Sequence, residues 1–169
     1  MKIILLGYMA SGKSYVLKTL AESFDVNAID LDTYIETQEG MCISDIFKNK
    51  GEIYFRTHEN KYLKQLLDSK KSFVLALGGG TPCYANNMDL ITKAAISIYL
   101  KASINTLYNR LCNEKGSRPL IAKLNNDTLK EFIAKHLFER APFYEQASQT
   151  ILVEDVPVAE MVNQIKGLL

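Results

Sequence analysis

Eight residues near the amino terminus, Gly7-Tyr8-Met9-Ala10-Ser11-Gly12-Lys13-Ser14, have the types and spacing that hold phosphate. Glycine lets a backbone wrap closely and turn its N–H groups inward. A lysine beside the second glycine reaches outer phosphates, and the following hydroxyl suits Mg²⁺. Lys2–Leu6 before the loop is an apolar run, and Val16, Leu17, Leu20 and Phe24 after it recur at helical spacing. A strand therefore feeds the loop and a helix leaves it, with its positive dipole end facing the phosphates.

Phosphate chemistry also needs an acceptor side. Asp30 and Asp32, two apart at the end of a short strand, could serve a metal and a hydroxyl. The usual metal-side acid follows a third apolar strand, but Phe73–Leu77 runs into Gly78-Gly79-Gly80 instead. Asp30 is then the candidate metal acid, with Ser14, and Asp32 the candidate base. The competing reading makes both acids caps of a helix around Thr33–Thr37. Three successive glycines favour close approach of a substrate over a simple turn. Arg56, Arg118 and Arg140 have the fork geometry that captures carboxylate or phosphate. Taken singly, Arg56 and Arg140 read better as solvated surface charges or helix ion pairs. His58, His136 and Cys83 read as structural.

Positioning these groups requires an alternation of strands and helices. Strands are expected at Lys2–Leu6, Asn27–Asp30, Phe73–Leu77, Ala95–Leu100 and Thr150–Val153. Helices are expected at Lys13–Phe24, from a Ser44 cap to Gly51, at Glu52–Leu67, from Asn86 or Asn87 to Thr92, and at Ser103–Cys112. A further helix runs from an Asp127 cap toward Arg140, and Pro157 opens a terminal one. Asn113–Asn126, with Gly116 and Pro119, reads as a mobile loop. Such alternation predicts an α/β fold, a parallel sheet with helices on both faces. Ligands then bind beyond the carboxyl ends of the strands, where the loop, the acids and the glycines converge.

The chain has 169 residues, 47% of them hydrophobic, enough for one core in one domain. A net charge of +1 without a basic run argues against nucleic acid. No apolar run is long enough to span a bilayer, and a core strand begins at once, so neither membrane nor signal peptide is expected. Cys42, Cys83 and Cys112 are odd in number and widely spaced, which suits a cytoplasmic protein. No apolar stripe is left to demand a partner, so a monomer is expected.

In order and approximate spacing, several motifs together resemble those of the shikimate kinases. They are the phosphate loop, Asp30-Leu31-Asp32, Asp45-Ile46-Phe47, Phe55-Arg56 with Glu59, Leu77-Gly78-Gly79-Gly80-Thr81, Arg118-Pro119-Leu120, and Arg140 with Tyr144. The resemblance spans essentially the whole chain. It implies a five-stranded parallel sheet like that of nucleoside monophosphate kinases, a substrate-binding segment at about 31–62 and a lid at about 112–125. It implies transfer of the ATP γ-phosphoryl group to the 3-hydroxyl of shikimate, with Mg²⁺. By this match Lys13, Asp32 and Arg118 are catalytic. Gly7, Ala10, Ser11, Gly12, Lys13, Ser14, Tyr15, Arg110 and Arg118 meet ATP. Asp32, Arg56, Gly78, Gly79, Gly80 and Arg140 meet shikimate, while Ser14 and Asp30 serve the metal. Phe47, Phe55 and Glu59 shape the pocket. Ala10 stands where the family commonly has glycine, and Tyr15 where it often has threonine, so the loop must accept a methyl at position 10.

Rival readings are another small-molecule kinase such as a gluconate kinase, a nucleoside monophosphate kinase, and a nucleotide-binding module without turnover. The Arg56/Arg140 pair and the glycine run discriminate against the first, Gly78–Gly80 with Asp32 against the second, and Asp32 together with Lys13 and Arg118 against the third, because a binding module needs no base.

Overall fold

The computed structural model describes residues 1–114, 121 and 124–169. Arg118 and most of the expected lid lie outside the described residues. Five parallel strands form one sheet: β1 (Lys2–Leu6), β2 (Asn27–Asp30), β3 (Phe73–Ala76), β4 (Ile96–Lys101) and β5 (Gln149–Leu152). Their order is β2-β3-β1-β4-β5. The helices are α1 (Lys13–Ser23), α2 (Leu31–Glu39), α3 (Ile43–Asp68), α4 (Asn87–Ala94), α5 (Ile104–Glu114), α6 (Asn126–Tyr144) and α7 (Val158–Leu168).

The central strand β1 lies in a parallel sheet whose crossover helices cover both faces, so it must be apolar on both. Ile3, Ile4, Leu5 and Leu6 are accordingly fully buried. Right-handed crossovers then assign the helices. The chain moves one way across the sheet through α1 and the other way through α3, α4, α5 and α6, which covers opposite faces. α7 returns to pack on α1. The register brings Asp30 opposite Ala76 and Ala76 opposite Leu5, so the acids, the glycine run and the phosphate loop share one edge.

Several helix starts differ from the sequence expectation. The cap of α3 is Cys42, not Ser44: the Cys42 carbonyl accepts from the N–H groups of Asp45 and Ile46. Asn125, not Asp127, caps α6, its Oδ1 accepting from Thr128 N at 2.8 Å. In both cases the cap falls on the residue with extended backbone, two residues before the expected one. The expected break at Gly51 is present, with φ 84° and ψ 170° inside α3. Among the described residues no helix is long and apolar enough to cross a membrane.

Candidate active site

Gly7 carries β1 into the phosphate loop at φ 147°, and a Cβ there would stand 2.7 Å from the Leu100 carbonyl oxygen. Only glycine allows that approach. Gly12 caps α1, so the N–H groups of Lys13 and Ser14 in its first turn have no partner within the helix. Lys13 Nζ lies over the loop, donating to Gly7 O at 2.8 Å and Tyr8 O at 2.9 Å. Ala10 adopts φ 61°. That left-handed conformation costs an L-residue about 1–2 kcal/mol, so the methyl at position 10 is accommodated by strain. Arg110 holds this peptide, donating to Ala10 O at 3.1 Å and to Val153 O at 3.0 Å. It thus clamps the loop to the end of β5. The Ser11 hydroxyl is buried, with no hydrogen-bond partner among the described residues.

The two acids divide. Asp30 is the N-cap of α2, its Oδ1 accepting from Thr33 N at 3.2 Å. The capping alternative therefore holds for Asp30, and among the described residues its Oδ2 has no further hydrogen bond. Asp32 sits in the first turn of α2 and takes no hydrogen bond among the described residues. Burial pushes its carboxyl up to about 6, and repulsion from Asp30 and Glu59 adds to the shift against the pull of Lys13 and Arg56. A carboxylate at that value is suited to exchange protons near neutral pH.

The glycine run explains itself by what faces it. None of the three has a positive φ, so turn geometry is not what requires them. A Cβ on Gly78 would stand 2.9 Å from Asp32 Oδ1, one on Gly79 3.3 Å from Arg140 Nη1, and one on Gly80 2.8 Å from Arg56 Nη2. Each glycine thus seats one functional group against bare backbone. Arg56 is pinned by Glu59, Nη1 to Oε2 at 2.8 Å, and more loosely by Glu52 at 3.6 Å. Arg140 makes no ion pair among the described residues. Its guanidinium lies over the Tyr8 ring, 5.5 Å from the centroid.

Beside these groups a cleft of about 460 Å³ is lined by Lys13, Ser14, Tyr15, Asp30, Asp32, Gly78, Gly79 and Arg110, among others. Phosphate loop, acids and glycines thus share one cavity wall. Arg56 and Arg140 do not line this cleft but stand against Gly80 and Gly79 at its border. The match to the shikimate kinase family covers residues 9–168. The chain belongs to that family.

Curated relatives include a shikimate kinase from Flavobacterium johnsoniae, 46% identical over 99% of this chain and 98% of that one. A crystal structure of shikimate kinase from Bacteroides thetaiotaomicron superposes with a TM-score of 0.92 at 31% identity, covering 99% and 97% of the two chains. Shikimate kinase from Acinetobacter baumannii in complex with shikimate gives a TM-score of 0.87 at 32% identity, covering 99% and 91%.

Glu59 and Thr81, both within the motifs that resemble the family, anchor a buried layer whose further members, Asn87 and Asn60, sequence reasoning missed. Glu59, 1% exposed, holds Arg56 with one oxygen and accepts from Thr81 Oγ1 with the other at 2.7 Å. Asn87 donates to Thr81 O at 2.7 Å and accepts from Asn60 at 2.6 Å. Asn87 was a candidate cap by type, and the cap position is Asn86. One signal was available: Phe132, His136, Arg140 and Tyr144 repeat every fourth residue along one face of α6. That face meets the site. Tyr144 donates to Gly79 O at 2.5 Å, and Phe132 packs on His136. As expected, the histidines are satisfied structurally: His58 stacks on Tyr54, and His136 Nδ1 lies 3.3 Å from Tyr8 Oη. Burial pushes the half-buried Cys83 thiol up, which suits a packing role.

Proposed function

We propose that this chain transfers the γ-phosphoryl group of ATP to the 3-hydroxyl of shikimate, giving shikimate 3-phosphate and ADP for chorismate and aromatic amino acid synthesis. The observation that carries the reading is the seating of Asp32, Arg140 and Arg56 against Gly78, Gly79 and Gly80 beside the phosphate loop. Shikimate offers a carboxylate and hydroxyls. A site for it needs guanidinium forks, one acid and backbone donors, and this edge of the sheet supplies them.

In this reading the first-turn N–H groups of α1 hold the ATP phosphates, together with Gly7, Ala10, Ser11, Gly12 and Tyr15. Arg110 stands on the adenine side of the cleft. Lys13 leaves the loop carbonyls for the phosphate oxygens and, with Arg118, stabilises the charge of the transferring group. Arg56 and Arg140 hold the shikimate carboxylate, and the Gly79 and Gly80 backbone holds the ring substituents. Asp32 orients the attacking hydroxyl and takes its proton, a task its raised proton affinity favours. The Ser14 hydroxyl and Asp30, which line one cleft with hard oxygen donors, fit Mg²⁺. When bound, the ion neutralises charge on the phosphates. Ser14 would be a direct ligand, with Asp30 acting through water while its other oxygen caps α2.

The same reading makes residues of about 31–62 the substrate-binding segment and about 112–125 the lid. It includes a cytoplasmic monomer that engages neither nucleic acid nor membrane, supported by the near-neutral charge and the odd, scattered cysteines. A coupled ADP-release assay with shikimate, quinate and gluconate at equal concentration tests it. Rapid ADP release is expected with shikimate alone. Release with gluconate and none with shikimate would overturn the proposal.

A further inference from the structure

Tyr8 occupies a variable position of the phosphate-loop pattern, yet it is only 1% exposed and touches both halves of the site. Its carbonyl accepts from Lys13 Nζ at 2.9 Å. Its ring face lies under the Arg140 guanidinium, 5.5 Å from centroid to Cζ. Its hydroxyl meets His136 Nδ1 at 3.3 Å, one helical turn before Arg140 on α6. The ring is therefore fixed at its far end and carries the cation on its face.

The contrast with Arg56 gives this contact meaning. Arg56 is held by carboxylates, which fix it but cancel much of its charge. Arg140 has no such partner among the described residues. Tyr8 beneath it and Tyr144 beside it, which bonds Gly79 O, leave its charge uncompensated. An aromatic face attracts a cation through its quadrupole without neutralising it. A guanidinium held in this way keeps its full attraction for an incoming anion. We propose that Tyr8 is a positioning residue that holds Arg140 over its ring and so sets the affinity for the substrate carboxylate from within the nucleotide loop.

This inference rests on the reading of Arg140 as a carboxylate ligand, and the experiment separates the two. Steady-state kinetics would be measured for Arg140→Ala, Tyr8→Phe, Tyr8→Leu, and a variant carrying pentafluorophenylalanine at position 8. The fluorinated ring keeps the size of Phe but loses the negative face, so it decides the matter even if Tyr8→Leu fails to fold. Tyr8→Phe is expected to keep the shikimate KM within about twofold of the parent, because the ring is retained. Tyr8→Leu and the fluorinated variant should raise it about three- to thirty-fold, the span of cation–π contacts from exposed to desolvated. Neither should move kcat or the ATP KM comparably. An unchanged shikimate KM in the fluorinated variant, or an equal rise in the ATP KM, overturns the role of Tyr8. If Arg140→Ala itself leaves the shikimate KM unchanged, the carboxylate reading of Arg140 falls, and with it this inference.

Discussion

Asp32 Oδ1 lies 2.9 Å from the position a Cβ would take on Gly78. The carboxylate is thus seated against backbone that any other residue would cover. Its raised proton affinity follows from the same seating, since the site removes water from Asp32 and sets Asp30 and Glu59 near it. The site thus holds a carboxylate whose charge is unfavourable, a stability cost that the proposed role as a base would explain.

Asp32→Asn should therefore separate stability from activity. Turnover is expected to fall about 10²- to 10⁴-fold, the contribution of a positioned base, while ATP affinity measured by calorimetry stays close to the parent. Loss of ATP binding would reassign Asp32 to the metal or to structure. In the parent, kcat/KM for shikimate should rise with pH along an acid limb centred near the Asp32 value of about 6, because the base must be ionised. Stability follows the opposite course. The unfolded carboxyl ionises near 3.8 and the folded one near 6, so between these values the folded state holds the extra proton and loses stability as pH rises. Asn removes that penalty. The Tm of Asp32→Asn should exceed the parent's above pH 6, and the difference should vanish below pH 4.

Gly80→Ala tests the close approach of Arg56. Gly80 has φ −89° and ψ −19°, an ordinary conformation for alanine. The backbone will accept the substitution, and loss of unfolded-state freedom even favours it by about 0.4–1 kcal/mol. The new Cβ, however, would stand 2.8 Å from Arg56 Nη2. The guanidinium must move away, and misplacing a bidentate clamp by about 1 Å can cost on the order of 10²-fold. The expected result is an unchanged or slightly higher Tm with the shikimate KM raised at least tenfold. A normal KM would show that Arg56 has room to reach its ligand by another path.

Much of this was legible in the sequence because the residues concerned act through local geometry. Gly7 and Gly12 fix the loop by spacing, and the apolar run of Phe73–Leu77 announces a central strand wherever it lies in space. Ala10 could be singled out because it stands where the family commonly has glycine, and the structure gives it a left-handed φ of 61°. The remainder depends on what tertiary packing brings together. Arg56 and Arg140 look like surface charges until the glycine run is folded beneath them. Asn87 and Asn60 carry no signature, since their bonds join α4, α3 and the turn at Thr81, far apart in the chain. Ser44 and Asp127 were plausible caps by type, but the cap is decided by backbone angles, which selected Cys42 and Asn125.

Arg110 bonds two carbonyls on separate elements, Ala10 O in the phosphate loop and Val153 O after β5. Lysine has one ammonium in place of a planar fork and cannot reproduce both bonds in that geometry. Arg110→Lys should therefore loosen the loop at its strained residue. The ATP KM is expected to rise about three- to tenfold, the equivalent of one hydrogen bond of about 1 kcal/mol, with the shikimate KM little changed. Ala10→Gly should alter Tm by only a few degrees, because relief of strain and gain of unfolded-state entropy nearly cancel. An equal effect of Arg110→Lys on both substrates would mean that the clamp serves the whole domain.

Glu39, the last residue of α2, ties that helix to α3. Its Oε2 accepts from Lys50 Nζ at 3.0 Å and Tyr54 Oη at 2.8 Å, and its Oε1 from Tyr62 Oη at 2.7 Å. Lys50 precedes the break at Gly51 and the two tyrosines follow it, so one carboxylate at the end of α2 ties both halves of α3. The hydrogen bonds from Tyr62 and Tyr54, with Lys50, hold the Glu39 carboxyl down to about 2. A group lowered in the folded state stabilises above its unfolded value of 4.5, and that contribution is lost as pH falls toward 2. Glu39→Ala leaves two phenols and an ammonium without their acceptor, at a cost of about 1–3 kcal/mol. For a domain of this size that lowers Tm by about 2–12 °C. Glu39→Gln keeps an acceptor and should recover roughly half the loss. Because the same tie fixes the angle across Gly51, and Arg56 lies just beyond it, Glu39→Ala should also raise the shikimate KM while leaving the ATP KM near the parent value. A drop in Tm with both KM values unchanged would make the network a staple of the fold alone.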